Sequence, residues 1–377
     1  MPGPWSSYSD THYSTFSVEQ LQREIALRFP FYDMKVTPRA VIFYCNIDTE
    51  SLEIKFEDLR KSLSSLGYIP MLRKEDEKDI IYVIKKHTRK ERPIVFNIIL
   101  FCATLLTTII TGSLLHMGYG DLQSVPNLWN VFSPVHLFWG TVLFSFPLMS
   151  ILFIHEMGHY FASKKHDLHT SFPFFIPIPP ILPNFNIGTL GALISSHDPM
   201  PDKKALFDVG ISGPIAGFII AVPVTIIGIA TSNIITMDTV ATGEIGLGSS
   251  ILFSLLSQVL LDVPSNAAVD LNPIAFAGWI GLLITSINLL PAGQLDGGHI
   301  FRAVFGEKQK YAGWIAVFIM IVTGWLFFAF IIIVLIGMEH PPPLNDNTAL
   351  DNKRKLLFFA ALAILIVCYI PYPIFTF

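Results

Sequence analysis

Charge is scarce in this chain. Only 14% of its 377 residues are Asp, Glu, Lys or Arg and 52% are hydrophobic, against a charged share of about a quarter in ordinary soluble domains. That excludes a conventional soluble protein and predicts a polytopic α-helical membrane protein. Cysteine is nearly missing: Cys45, Cys102 and Cys368 are scattered and two fall in apolar stretches, which excludes a disulfide framework or a thiolate metal cluster. The net charge of -4 gives no global basic character, so no nucleic-acid partner is expected. Residues 1–17 have neither a basic leader nor an apolar core, so the first apolar stretch is expected to do the targeting. Lysine and arginine are absent from 117–134 and from 231–271, whereas Lys164-Lys165, Lys203-Lys204 and the run from Arg302 to Lys310 flank the alternate ends. By the positive-inside rule those basic ends, and the N-terminus, face the cytosol.

What is present divides the chain into three. Residues 1–16 are polar, rich in Ser and Tyr, and expected to be flexible. Residues 17–92 read as a small cytosolic α+β domain of order α-β-α-β-β. Ser17 to Gln20 has the form of a capping box, followed by Val18, Leu21 and Ile25 on one helical face up to Pro30. Val41 to Tyr44 suits a strand, and Phe56, Leu59, Leu63 and Leu66 recur at helical spacing before Gly67. A hairpin is expected around the charged run Lys74 to Lys78. The basic run at 85–92 closes this part, and residues 93–377 form the transmembrane part. Apolar stretches near 93–115, 135–161, 205–230, 272–291, 311–337 and 356–370 predict about six transmembrane helices at roughly 20 residues each. Lys353-Arg354-Lys355 conflicts with that count, since it would fall outside if the fifth and sixth stretches both cross.

Within the second apolar stretch stands His155-Glu156-Met157-Gly158-His159. Histidines at i and i+4 share one face of a helix, and the glutamate beside the first reaches a water held between them, which is the HExxH zinc-hydrolase arrangement. Each ionisable group placed mid-membrane costs roughly 2.5 to 3.5 kcal/mol on insertion scales, so the cluster points to function rather than to packing. A hydrolytic zinc normally takes three protein ligands and keeps a further position for water. Asp296, in the broken end of the fourth stretch from Asn288 through Pro291 and Gly293, is the best third ligand, and His299 is its competitor. Counting from the basic residues that follow each motif, the metal would lie on the order of 8 to 14 Å inside the cytosolic border.

Between the second and third stretches, 171–193 is apolar enough for lipid but too rich in proline for a helix. It is expected to be a re-entrant extended segment lining the catalytic cavity, with Asn186, Gly188 and Gly191 holding substrate as an added strand. Gly210-Ile211-Ser212-Gly213 has the form of a serine-protease GxSG motif, but in a membrane helix it is read as close packing.

HEMGH in one span, with Asn288 and Asp296 two spans later, resembles the site-2 protease family of intramembrane zinc metalloproteases. Gly188 to Ala192, Ser212 to Gly217 and Leu295 to Gly298 are most similar to its archaeal and plastid branch. The family's usual Asn-Pro before the Asp-Gly is replaced here by Gln294-Leu295. The resemblance covers roughly residues 93–310, with a catalytic core over about 135–310. It implies one zinc per chain on His155, His159 and Asp296, Glu156 as the base, and Asn288 as an oxyanion partner. It further implies a membrane-anchored protein substrate, cut within or beside its transmembrane helix in the bilayer of a cell membrane, the prokaryotic one being expected. A zinc-binding transporter or a non-catalytic scaffold is the alternative.

Overall fold

The computed structural model describes residues 17–48, 50–86, 93–119, 128–179, 187–194, 198–236, 245–264 and 266–376. The flexible segment expected at 1–16, most of the basic run at 85–92, and Asn186 lie outside the described residues.

The first elements are α1 (Val18–Ala26), β1 (Phe31–Val36), β2 (Val41–Cys45), α2 (Leu52–Ser65), β3 (Tyr68–Glu75) and β4 (Lys78–Lys85). The strands form an antiparallel sheet in the order β1-β2-β4-β3. Leu21 and Ile25 of α1 and Phe56, Leu59 and Leu63 of α2 close over Val41, Phe43, Ile81 and Val83. β1 adds a strand to the expected order. It is an edge strand with a bulge near Phe31, it is mostly exposed, and Asp33 and Lys35 interrupt it, so its sequence shows no buried alternation. The expected capping box is also not formed: Ser17 makes no side-chain cap bond, and its N–H donates to the Tyr68 hydroxyl at 3.2 Å.

Among the described residues three helices are long and apolar enough to cross a membrane: α3 (Ile94–Gly118), α4 (Pro134–Gly140) continued through a π-helical turn into α5 (Phe146–Lys165), and, after a hairpin, α6 (Lys203–Ala230). That hairpin pairs β5 (Phe174–Pro177) with β6 (Thr189–Leu193) antiparallel. Past α6 come β7 (Asn233–Thr236), β8 (Ile245–Leu247), α7 (Ile251–Leu261), β9 (Ala267–Asp270), α8 (Pro273–Asn288) and α9 (Asp296–Phe305). Asn272 caps α8 and ties it to α6, its amide donating to the Gly228 carbonyl at 3.1 Å and to the Thr231 hydroxyl at 2.7 Å.

The apolar stretch at 311–337 is not the single span expected of it. It is two short helices, α10 (Gln309–Val322) and α11 (Leu326–Ile331), the second ending in a π-helical turn. The chain turns at Gly324, whose φ of 83° suits glycine, and Trp325 Nε1 pins the turn by donating to the Ile370 carbonyl at 2.8 Å. The two ends of this helical hairpin meet: Gln309 Nε2 donates to the carbonyls of Pro291 and Met338, and Lys310 reaches Glu339. The chain therefore returns to the side it left.

α12 (Asn352–Cys368) then starts beside the head of α6, where Arg354 grips Asp208 through both carboxylate oxygens at 2.7 and 2.5 Å. Lys353-Arg354-Lys355 thus stands at the same end of α6 as Lys203-Lys204. The last strand, β10 (Ile374–Thr376), pairs with β8.

The first six elements sit on the basic ends of this helical part. Lys86 pairs with Asp198, Lys204 with Glu53 and Lys61 with Asp167. Burial works to raise the Asp198 carboxyl, but hydrogen bonds from His169 and Lys86 hold it below the usual carboxylate range. Leu344, from the segment before α12, is buried in the core beneath the sheet. Burying a leucine stabilises by about 1.5 to 3 kcal/mol, more than the roughly 0 to 1 kcal/mol of an exposed ion pair.

Candidate metal centre

His155 and His159 lie one turn apart on α5, both buried, with their Nε2 atoms 3.2 Å apart. Asp296 is the first residue of α9, and its Oδ2 is 3.3 Å from each of those nitrogens. Among the described residues this is the one group of three or more metal-ligating side chains that converge. Two imidazoles and a carboxylate are a donor set that suits zinc. The tautomer fits as well, since His159 Nδ1 donates to the Val209 carbonyl at 2.7 Å, which leaves the Nε2 lone pair for a metal. Placing Asp296 there requires a tight turn after α8. Any side chain at Gly297 or Gly298 would run into the carbonyls of Leu289 and Gly293, so both glycines are needed for the carboxylate to face α5.

α6 forms the wall behind the cluster. Gly210, Gly213 and Gly217 recur on one of its faces. A Cβ at Gly213 would overlap the His159 ring, one at Gly217 would come 3.0 Å from His155 Nδ1, and one at Gly210 would come 3.0 Å from the Asp296 carbonyl. Facing them, a Cβ at Gly158 would meet the Ser212 carbonyl at 2.6 Å. The glycines of the GxSG-like motif therefore pack helices. Ser212 itself donates to the Val209 carbonyl of its own helix at 2.9 Å. The wall as a whole is not among the features expected from the sequence, although glycines at i, i+3 and i+7 within an apolar helix are the signal that would reveal it.

Glu156 is buried next to His155, and the Asn288 amide nitrogen, at the end of α8, is 3.3 Å from His155 Nε2. His299 stands apart from the cluster. Its Nδ1 donates to the Leu295 carbonyl at 3.0 Å and its ring packs edge-on against His340 at 4.3 Å. Burial, and then the neighbouring His299, push His340 down to about 2, so it packs there as a neutral ring.

The hairpin β5–β6 lies against α3 and α5. Gly188, with φ 78°, lets α3 approach: a Cβ there would come 2.8 Å from the Thr107 carbonyl, whose own hydroxyl donates to Gly188 O at 2.7 Å. The close contact expected of Gly188 is thus filled by the chain itself. Gly191, with φ 102°, has open space where a side chain would be.

A family model matches residues 143–332, a segment that holds the histidine pair, the glycine wall and Asp296. The chain belongs to peptidase family M50. Among curated proteins, this M50 chain is similar to "Probable zinc metalloprotease EGY1, chloroplastic" of Arabidopsis thaliana, 30% identical over 237 residues, which are 60% of this chain and 42% of that one. EGY1 of Oryza sativa subsp. japonica is 29% identical over 60% of this chain and 40% of its own length. "Probable zinc metalloprotease EGY2, chloroplastic" of Arabidopsis thaliana is 28% identical over 59% and 40%. The M50 chain thus spans about two fifths of the length of these relatives. No solved structure matches it.

Proposed function

We propose that this chain is an intramembrane zinc metalloprotease that cuts membrane-anchored proteins within or beside their transmembrane helix. The observation that carries this reading is the convergence of His155, His159 and Asp296 between a helix long enough to cross a membrane and the turn after α8. Membership of family M50 and the names of the relatives support it. When bound by these three residues, zinc supplies Lewis acidity and makes water acidic enough to be deprotonated near neutral pH. Glu156 takes the proton from the attacking water and returns it to the leaving nitrogen. Asn288 donates its amide to the oxygen that gains charge. The apolar surroundings strengthen both interactions and exclude bulk water.

A peptide bond inside a helix is shielded by its own hydrogen bonds, so substrate is taken in extended form, along β6 near the open Gly191. In the bilayer, α3, α4–α5, α6, α8 and α12 cross, and α10–α11 enters and returns. The basic ends and residues 17–86 then face the cytosolic side. A cell-membrane location rests on the sequence alone, since the named relatives are chloroplastic. A transporter or scaffold has no observation in its favour. The test is cleavage of a panel of single-span substrates by the purified protein, with zinc and with chelator. Chelator-sensitive cleavage supports the reading, and zinc-replete protein that cuts none of the panel contradicts it.

A further inference from the structure

The segment between α11 and α12 bonds both to the N-terminal sheet and to the approach to α6. On one side the Leu344 carbonyl accepts from Leu72 N–H of β3 at 2.8 Å, and Arg73 donates to the Pro343 and Leu344 carbonyls at 2.9 and 3.1 Å. The Leu344 side chain is buried beneath the sheet. On the other side Leu344 N–H and Asn345 N–H donate to the carbonyls of Met200 and Pro201, both at 2.8 Å, just ahead of α6. Residues 344–345 therefore run as a short strand between the β3 edge and the approach to α6.

The next residue, Asp346, binds α9, which opens with Asp296, and the start of α6, which carries the glycine wall. Its Oδ2 accepts from Arg302 at 2.7 Å, and its Oδ1 is 3.6 Å from Lys203 Nζ. Arg302 lies in α9, six positions after Asp296, and is buried; Lys203 opens α6, the helix that carries the glycine wall. A buried guanidinium left without its carboxylate is costly, so α9 is held where Asp346 places it. Residues 17–86 and 338–348 both lie outside the segment matched by the family model.

We propose that Asp346 is a positioning residue for the metal centre, acting through Arg302 and Lys203, and that Leu344 makes its placement depend on the seating of the sheet formed by β1 to β4. The N-terminal elements thereby set the affinity of the site without touching it. This rests on the zinc reading above, and the test separates the two.

Full-length protein in nanodiscs is compared as wild type, Leu344→Asp, Asp346→Asn, Asp346→Glu and, as a control on a separate contact, Lys204→Ala. The readouts are amide hydrogen exchange and zinc affinity by chelator competition. Leu344→Asp is expected to speed exchange in both β3 and α9 and to weaken zinc binding about tenfold, the lower end for loss of a supporting partner. Asp346→Asn should do the same in α9 while β3 stays protected, and Asp346→Glu should restore most of the affinity. Lys204→Ala should leave zinc affinity as in wild type. If Leu344→Asp does not fold, Arg73→Ala tests the same link. The proposal is overturned if β3 is freed while α9 exchange and zinc affinity stay at wild type. If wild type binds no zinc, the protease reading fails, and α9 exchange in Leu344→Asp still decides the coupling.

Discussion

Two histidine pairs among the described residues bring their ring nitrogens to nearly the same separation, and only one of them converges with a third metal-ligating side chain. His155 and His159 stand 3.2 Å apart through Nε2, and His116 and His136 stand 2.9 Å apart through Nδ1. The first pair is buried, shares the Asp296 carboxylate, and has its tautomer set by the Val209 carbonyl. The second joins the end of α3 to α4, with Trp139 stacked on His116 at 6.3 Å, and no converging group of three ligands among the described residues includes it. The two pairs differ in what surrounds them, not in the spacing of the rings. The carboxylate and the shaped wall behind the rings make the difference, and each can be removed separately.

Removing the carboxylate should have the largest effect. Asp296→Asn is expected to lose both zinc and cleavage, while His299→Ala keeps both. Metal analysis of the two purified variants checks this, and the reverse outcome would make His299 the third ligand. Crowding the wall comes next. Gly213→Ala pushes a methyl group into the His159 ring, and overpacking of this kind costs about 1 to 3 kcal/mol. Reduced thermal stability together with substoichiometric zinc is expected, and a fully loaded, fully active variant would show that the wall does not shape the site.

Gly191→Val acts on the hairpin instead. The open space admits the side chain, but the positive φ strains it by roughly 1 to 3 kcal/mol, so cleavage should slow with zinc content unchanged. Equal loss of zinc would mean that the hairpin supports the ligands rather than the substrate. The smallest effect is expected at the other pair. His136→Ala should leave zinc content and cleavage near wild type, and loss of zinc there would erase the contrast between the two pairs.

How much of this was legible in the sequence differs by element. The three converging side chains stood out because ionisable groups are too costly in an apolar helix to persist without a use, and the i, i+4 spacing of the two histidines fixes their face. The helix of α2 and the hairpin β3–β4 were legible from periodicity and a charged turn. β1 was not, because an exposed, bulged edge strand has no buried face to show. The α10–α11 hairpin was hidden for the opposite reason: both halves are apolar throughout, so the turn at Gly324 left only a single glycine as its trace. The contact of Gly188 with α3 and the bond from Arg302 to Asp346 join residues far apart in the chain, and local pattern carries no record of such pairs.

The central claim, that Glu156 moves the proton at a zinc held by other residues, is tested most directly by Glu156→Gln. Zinc content and cleavage of a single-span substrate are measured on the same preparation. The prediction is zinc at the wild-type level with cleavage lowered by about 10²- to 10⁴-fold, the usual contribution of a general acid–base group. Cleavage near the wild-type rate with zinc still bound would contradict it.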